Sequence, residues 1–266
     1  MMLPMGSRHA ETVGETSRAF IARHFGETGR AWLNQLPAVA GELSRRWELE
    51  IGPPLHGGLL SVIHEVTRAD GSDAVLKISG PWSPYSDEVV ALRAWNGGPA
   101  PSLLETDAES RALLLERITP GTHPDSAPVD VVAGLQRTLH VEPPPGLPAL
   151  ADAVRGRIED AVRGGRASEQ KGHWALETVS ALGRDPPDPV LVHGDFDERN
   201  LLLCERRGLV AIDPIPCAGD PAYDAGYWVH GNRRPGRRAR LDAIVDATSL
   251  PRDRVRDWAA VVGVHG

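Results

Sequence analysis

The string Val-His-Gly-Asp-Phe-Asp-Glu-Arg-Asn at 192–200 constrains this chain more than any other part of its sequence. Two short apolar runs follow the string, at 201–204 and 209–212, and a polar loop separates them. This pattern predicts a β-hairpin. If the two strands pair symmetrically about the loop, Asn200 faces Asp213 at the open end. Cross-strand neighbours lie roughly 5 Å apart, so the two side chains would be close together. The sequence therefore predicts an amide and a carboxylate side by side.

Three polar side chains at the open end of this hairpin have the chemistry of phosphoryl transfer. Asn200 and Asp213 offer hard oxygen ligands, which suit Mg²⁺ while other positions on the ion remain for phosphate and water. Asp195 lies five residues before Asn200, and such a carboxylate can orient and deprotonate a hydroxyl without binding the metal. Each residue alone is also typical of a turn that ends a strand. The complete string with its hairpin favours a site that transfers a phosphoryl group from ATP.

The charge balance and composition indicate which partners suit this chain. Its 29 basic and 36 acidic residues leave a net charge of −7, which disfavours nucleic-acid binding and attracts a small cation. No apolar run approaches the roughly 18 residues that cross a bilayer, and the first residues lack the apolar segment of a secretory signal. The two cysteines cannot form a disulfide framework. We therefore expect a cytoplasmic monomer that acts on a small molecule, with no membrane or nucleic-acid partner.

Periodicity divides the 266 residues into three segments. Residues 1–46 are predicted to be helical, with a break at Pro37. Residues 47–118 are predicted to form a small sheet with one helix. The strands of this sheet are expected at 47–51, 59–66, 74–78 and 112–115, and its helix at about 87–95. Residues 119–266 are mainly helical around a short β segment. The expected fold is α+β and bilobal, with a small, mainly β N-lobe and a larger, mainly α C-lobe.

A lysine and a glutamate in the N-terminal half are candidates for an ion pair. Lys77 lies in a predicted strand and is one of only two lysines among the 29 basic residues, so it marks a position that needs a compact ammonium group. Glu88, Leu92 and Trp95 share one face of the predicted helix. A carboxylate on a buried face needs a partner, and Lys77 paired with Glu88 would be positioned on nucleotide phosphates. The alternative is that Glu88 stabilises the helix N-terminus.

These strings resemble the aminoglycoside phosphotransferase family of the kinase-like superfamily, and within it the group of streptomycin 6-kinases and hydroxyurea phosphotransferases. HGDFDERN is similar to the family's catalytic loop, and AIDPIPCAGDPAYDAGYWV to its metal-binding aspartate and the D-P-A-Y-D segment that follows. The resemblance extends upstream through GRAWLNQLP, RRWELEIG, DGSDAVLKI, SDEVVALRAW and LLLERITPGT, in the family's order. It implies a protein-kinase-like fold and the use of ATP with Mg²⁺.

The resemblance also implies a role for each candidate residue. Asp195 would be the catalytic carboxylate, and Asn200 with Asp213 would bind the metal. Lys77, ordered by Glu88, would bind the α- and β-phosphates of ATP.

Two further positions would contribute backbone rather than side chains to a nucleotide. Glu116 and Ile118 match the family's hinge, whose backbone groups would pair with adenine. Gly57 and Gly58 could let the backbone approach the phosphates, or they could form a plain turn. This glycine pair departs from the G-x-G-x-x-G pattern of protein kinases.

The acceptor is the least determined part of the prediction. Asp197 and Glu198 are candidates for binding a cationic substrate, and Phe196-Asp197 stands where the family often has Leu-His. We expect transfer of the γ-phosphate to a hydroxyl of a small, streptomycin-like antibiotic, which would confer resistance. The alternatives are a kinase for hydroxyurea or another small metabolite, and a weakly active regulatory protein that binds nucleotide.

Three other residues near the string are expected to be structural. His193 is predicted to brace its own loop through hydrogen bonds rather than to act as a base. Asp220 and Asp224 are predicted to cap a helix and to hold the catalytic loop rather than to bind substrate.

Overall fold

The computed structural model describes residues 15–55, 60–231 and 236–266, and the chain divides into two compact units. The first unit comprises the chain up to Tyr85 together with Leu103–Arg117, and the second comprises Ser86–Ser102 with Ile118–Gly266. The three-segment division at 46 and 118 stays a prediction. No helix of the described residues is long and apolar enough to span a membrane.

The first unit contains a five-stranded antiparallel sheet. Its strands are β1 (Leu49–Pro54), β2 (Ser61–Arg68), β3 (Asp73–Ser79), β4 (Leu103–Asp107) and β5 (Ala112–Glu116). They are ordered β1-β2-β3-β5-β4, so β3 is central. In the register of the sheet, Lys77 lies between Ile63 and Leu113. Four of these strands were expected, whereas β4 lies at the sheet edge, where none of its residues is buried and the sequence has little apolar periodicity.

Two helices, α1 (Glu15–His24) and α2 (Gly26–Arg46), precede the sheet. The predicted break at Pro37 is wrong, because Pro37 lies inside α2. The two helices instead separate before Gly26, whose φ of +55° belongs to the left-handed region. Leu33, Leu36 and other buried residues of α2 share a core with the sheet. This packing keeps the helix continuous despite the hydrogen bond that proline removes.

The helix expected at 87–95 is α3, which spans Tyr85–Trp95. The face predicted to be apolar is buried, since Glu88, Leu92 and Trp95 are each at most 5% exposed. From Ser86 onward this helix belongs to the second unit.

The second unit is mainly helical around two small antiparallel strand pairs. Its helices are α4 (Val129–Leu139), α5 (Leu150–Arg163), α6 (Glu169–Leu182), α7 (Ala222–Gly231), α8 (Arg237–Thr248) and α9 (Arg252–His265). Strand β6 (Val190–Val192) pairs with β9 (Cys217–Gly219), and β7 (Leu201–Cys204) pairs with β8 (Gly208–Ala211). A short 3₁₀ helix, Glu198–Asn200, leads into β7.

Asp220 joins the start of α7 to α9. Its carboxylate accepts hydrogen bonds from Arg254 Nη2 at 2.7 Å, from Trp258 Nε1 at 2.7 Å and from the backbone N–H of Ala222 at 2.9 Å. Arg254 also donates to the carbonyl of Leu182 at the end of α6. The predicted structural role of Asp220 is confirmed by these contacts.

The exposed position of Pro37 gives a test of how α2 is stabilised. Pro37→Ala restores a backbone N–H that can donate to the Leu33 carbonyl, so the free energy of unfolding should rise by about 1–3 kcal/mol in urea titrations. The control is Ala38→Gly, also exposed, which should lower it by about 1 kcal/mol. A loss of stability in Pro37→Ala would show that α2 packs only with the shape that proline imposes.

Candidate active site

The β7–β8 hairpin differs by one residue from the predicted pairing. Cys204 pairs with Gly208, so the loop has three residues rather than four, and Leu201 pairs with Ala211. Gly208 has a φ of +77°, which lets it close a three-residue loop that a side chain would strain. The predicted opposition of Asn200 and Asp213 is therefore wrong. Asn200 instead accepts a backbone hydrogen bond from Ile212 at 2.9 Å.

Asp213 directly follows Ile212, whose backbone N–H donates to the Asn200 carbonyl. Its side chain is exposed, and its φ of +58° lies in the left-handed region. That conformation costs a non-glycine residue roughly 1–2 kcal/mol, with aspartate among the residues that tolerate it best. Such backbone strain clusters at functional sites. The bend at Asp213 turns the chain away from the hairpin at the point where the sequence predicts a metal ligand.

Asp195 and Asn200 are held together by direct hydrogen bonds. The Asn200 Nδ2 atom donates to the Asp195 carboxylate at 2.8 Å and to the Asp195 backbone carbonyl at 2.8 Å. Because the amide nitrogen is used in this way, the Oδ1 atom is the one that Asn200 can offer to a cation. The contact fixes the carboxylate of Asp195 and the amide of Asn200 in one rigid unit.

Asp224 anchors the backbone of the loop at His193 and Gly194. Its carboxylate is fully buried and accepts the backbone N–H groups of His193 at 2.8 Å and Gly194 at 3.0 Å. The Nε2 atom of His140, at the end of α4, lies 2.9 Å from the same carboxylate. Burial would raise the pKa of Asp224, but His140 and the other donors hold it below its usual range. The predicted role of Asp224 in holding the catalytic loop is confirmed.

His193 is a neutral brace within the loop. It is fully buried, and this burial lowers its pKa despite the nearby carboxylates. Nε2 lies 3.0 Å from the Ile212 carbonyl and must carry the proton there, while Nδ1 accepts the backbone N–H of Asp195 at 3.4 Å. The ring also stacks on Trp95 of α3, with 6.2 Å between centroids. The predicted bracing role of His193 is confirmed by these contacts.

The two candidate acceptor-binding carboxylates have different surroundings. Asp197 is buried, accepts the backbone N–H of Arg199 at 2.7 Å and pairs with the guanidinium of Arg199. Glu198 is partly exposed and its charge acts on Arg240 of α8. Burial and Arg237 lower the pKa of Arg240 against this opposing charge. Asp197 is thus committed to the fold of the loop, whereas Glu198 lies nearer to solvent.

The donor set of the loop fits a magnesium ion. Asn200 and Asp213 both supply hard oxygen atoms, and such sites use one or two carboxylates with water and phosphate completing the octahedron. Among the residues that the structure describes, no group of three or more His, Cys, Asp or Glu side chains could hold a metal ion. Asn200 and Asp213 stay the predicted ligands of the ion.

The remaining predicted residues lie on regular elements or outside the described ranges. Lys77 is 6% exposed on β3, and Glu88 is 4% exposed on α3; their pairing stays a prediction. Glu116 ends β5, and Ile118 packs with Cys204 and Val210. Gly57 and Gly58 lie outside the described residues.

Sequence reasoning missed three side chains that contact the loop or its anchors. His140 contacts Asp224, and Arg157 of α5 donates to the carbonyl of Gly194 at 3.1 Å. Burial raises the pKa of the Tyr227 phenol, as do the charge of Asp195 and a hydrogen bond with it. His140 and Arg157 lie far from the loop in sequence, in segments with no motif. Tyr227 lies within the AIDPIPCAGDPAYDAGYWV string, which pointed towards the site without singling out this residue.

Known proteins share both the sequence pattern and the fold. The sequence profile of the aminoglycoside/hydroxyurea antibiotic resistance kinase family matches residues 46–266. The chain is 34% identical over 260 residues to the streptomycin 6-kinase of Streptomyces griseus, covering 89% of this chain and 83% of that protein. It is also 34% identical over 249 residues to the hydroxyurea phosphotransferase of Kitasatospora aureofaciens, covering 89% and 73% respectively.

Two solved structures show how widely the fold is shared. A choline/ethanolamine kinase family protein from Mesorhizobium loti superposes with a TM-score of 0.63 at 19% identity, covering 94% of this chain and 82% of that one. The macrolide 2'-phosphotransferase of Brachybacterium faecium superposes with a TM-score of 0.59 at 18% identity, covering 84% and 88%.

The α+β fold places the chain in the protein-kinase-like class of folds. Within that class, the match over residues 46–266 and the 34% identity over most of the chain are specific. The chain belongs to the aminoglycoside/hydroxyurea antibiotic resistance kinase family, as its sequence motifs predicted.

The buried carboxylate of Asp224 should be essential to both stability and turnover. Asp224→Asn places an amide nitrogen among three N–H donors, so we expect unfolding free energy to fall by about 3–5 kcal/mol and turnover to fall with it. Urea titration and steady-state kinetics measure the two effects. The exposed Asp246 gives the control, because Asp246→Asn should stay within about 0.5 kcal/mol. Unchanged turnover in folded Asp224→Asn would contradict the anchoring role.

Proposed function

We propose that this chain transfers the γ-phosphoryl group of ATP to a hydroxyl of a small cationic antibiotic of the streptomycin type, which would confer resistance. The observation that carries the proposal is the Asp195 carboxylate, fixed by Asn200 in a loop whose backbone is held by Asp224. The 34% identity to a streptomycin 6-kinase supports this choice of acceptor.

In the proposed reaction, Asp195 acts on the acceptor hydroxyl. Its carboxylate accepts the proton while the substrate oxygen forms a bond to the γ-phosphorus and the bond from that phosphorus to the bridging β-oxygen breaks. ADP leaves, and the proton later passes from Asp195 to solvent. The hydrogen bond from Asn200 keeps the carboxylate in one orientation, which reduces the entropy lost in reaching the reactive geometry.

The other residues of the proposal handle the nucleotide. Asn200 and Asp213 would hold Mg²⁺, and Lys77, ordered by Glu88, would bind the α- and β-phosphates. When bound, Mg²⁺ supplies neutralisation of the charge on the phosphate oxygens. The backbone at Glu116 and Ile118 would pair with adenine, as the family resemblance implies.

The acceptor is expected to be cationic because the chain carries a net charge of −7. Glu198 is the better candidate for contact with such an acceptor, because it is partly exposed whereas Asp197 is buried. Hydroxyurea is a second candidate acceptor, supported by the 34% identity to a hydroxyurea phosphotransferase over 89% of this chain.

The first experiment decides between these acceptors. Purified protein is incubated with ATP and Mg²⁺ and with either streptomycin or hydroxyurea, and the products are analysed by mass spectrometry. We expect streptomycin to gain the mass of one phosphoryl group, in step with ADP release. Phosphorylation of hydroxyurea alone would move the proposal to the second acceptor. Nucleotide binding without phosphorylation of either compound would contradict both.

A pair of substitutions separates the base from the metal ligands. Asp195→Ala should lower turnover by about 10²–10⁴-fold while the dissociation constant of an ATP analogue stays within about threefold, or ~0.7 kcal/mol. Asp213→Asn should weaken Mg²⁺-dependent nucleotide binding as well as turnover, because a charged metal ligand is lost. Calorimetric titration and steady-state kinetics measure both.

The exposed Asp246→Asn is again the matched control, and it should behave as the unmodified protein. If nucleotide affinity collapses in Asp195→Ala, then Asp195 is a metal or structural residue. If its turnover survives, the catalytic carboxylate lies elsewhere, and Asp197 is the next to test.

A further inference from the structure

We propose that Arg157 is a positioning residue of the catalytic loop and that it holds the peptide group directly before Asp195 while Asp224 holds the two peptide groups before that one. The inference rests on the proposed role of Asp195 and extends it to a residue of α5, which lies 38 positions earlier in the sequence. Arg157 is placed to act through the backbone of the loop rather than on the substrate.

One guanidinium nitrogen of Arg157 joins two parts of the site. Its Nη1 atom donates to the carbonyl of Gly194 at 3.1 Å and to the phenol oxygen of Tyr223 at 3.0 Å. Gly194 is the residue directly before Asp195, and Tyr223 belongs to the D-P-A-Y-D segment that begins α7. A single side chain of α5 therefore connects the catalytic loop to the helix beneath it.

The hydrogen bonds of Arg157 and Asp224 are complementary. Asp224 accepts the N–H groups of His193 and Gly194, whereas Arg157 binds the C=O group of Gly194. The peptide groups on both sides of Gly194 are thus held by ionised side chains, whose hydrogen bonds are about twice as strong as neutral ones. The rotation that would carry Asp195 away from its position must break at least one of them.

Gly194 makes this clamp possible. Its φ is +80°, and a Cβ atom at this position would lie 1.9 Å from the carbonyl oxygen of Ile215. The backbone of Gly194 therefore packs directly against the backbone of Ile215. The carbonyl of Gly194 is left to accept the hydrogen bond from Arg157. Because glycine is also the most flexible residue, the loop needs external groups to keep Asp195 in place.

The hydrogen bonds of the Arg157 guanidinium go to uncharged acceptors. Within the described part of the chain, no carboxylate lies at salt-bridge distance from it, and its acceptors are a carbonyl and a phenol. Burial alone would lower the pKa of Arg157, but neighbouring ionisable groups, Tyr223 first and Asp195 among them, raise it above its usual value. The guanidinium stays charged near several acidic groups, and its hydrogen bonds go to the loop.

The test combines kinetics with hydrogen exchange. Arg157→Gln removes the cation and shortens the side chain, and Arg157→Lys keeps the charge and three donors but lacks the planar fork. The control is Arg155→Gln on the same helix, where the side chain donates to Ser180 of α6 at 3.1 Å and not to the loop. Turnover, KM for each substrate and the affinity for an ATP analogue are measured, with amide exchange over 193–197.

For Arg157→Gln we expect turnover to fall by about 10²-fold, the effect of a small misplacement of a reacting group. The KM values and nucleotide affinity should stay within about threefold, and the amides over 193–197 should exchange faster. Arg157→Lys should recover part of both losses, and Arg155→Gln should change neither. If Arg157→Gln does not fold, the Arg157→Lys comparison decides the question alone.

Three results would overturn the inference. Turnover and exchange that both match the unmodified protein would show that the loop needs no anchor from α5. Parallel collapse of nucleotide affinity and unfolding temperature in both variants would make Arg157 a residue of general stability. Lost turnover with unchanged exchange over 193–197 would place its action elsewhere. If the unmodified protein phosphorylates no acceptor, the proposed function fails, but faster exchange in the variants would still support the anchor.

Discussion

The buried carboxylate of Asp224 is the interaction on which the candidate site depends. A fully buried charge is costly unless every lone pair has a donor, and here the donors are two backbone N–H groups of the catalytic loop and His140. The hydrogen bonds from the loop help to hold the pKa of Asp224 below its usual range, and the Asp224 carboxylate in turn holds the loop backbone. The geometry of Asp195 is therefore set by an electrostatic constraint beneath it.

Around this anchor, the second unit joins elements that are far apart in the sequence. Trp95 of α3 stacks on His193 and donates to the carbonyl of Leu139 at 2.8 Å, so α3 contacts both the loop and α4. Arg207, at the hairpin loop, donates to the carbonyl of Gly98 beyond α3. The helix that carries Glu88 and the hairpin that carries Asn200 thus belong to one packed structure.

The choice of acceptor depends on a different kind of constraint. The proposed catalytic groups bind hydroxyl and phosphate, which many substrates share, so they do not distinguish streptomycin from hydroxyurea. Discrimination must come from charged or polar groups that a wrong acceptor would leave unpaired. Asp197 is buried and paired with Arg199 within the loop. The partly exposed Glu198 is therefore the better candidate for contact with the acceptor.

The sequence by itself determined most of the regular elements and the family. Alternating apolar residues gave most of the strands, helical spacing gave the buried face of α3, and H-G-D-x-x-x-x-N named the carboxylate and amide that the structure joins by a 2.8 Å hydrogen bond. These are local patterns, because the period of side chains along a strand or helix is fixed by the backbone. Local sequence did not predict that α2 continues through Pro37. Packing of the helix on the sheet outweighed the tendency of proline to break a helix.

Only the tertiary structure decided the register of the hairpin and the supports of the loop. A left-handed Gly208 shortened the loop by one residue, and this moved Asp213 out of the predicted pairing. His140, Arg157 and Tyr227 come from three different helices or their ends. His140 and Arg157 lie in segments with no motif, and the motif string that contains Tyr227 does not single it out. Their roles arise because buried peptide groups and charges must find partners wherever the fold brings them. The spacing of residues in a sequence does not show which distant side chain will supply such a partner.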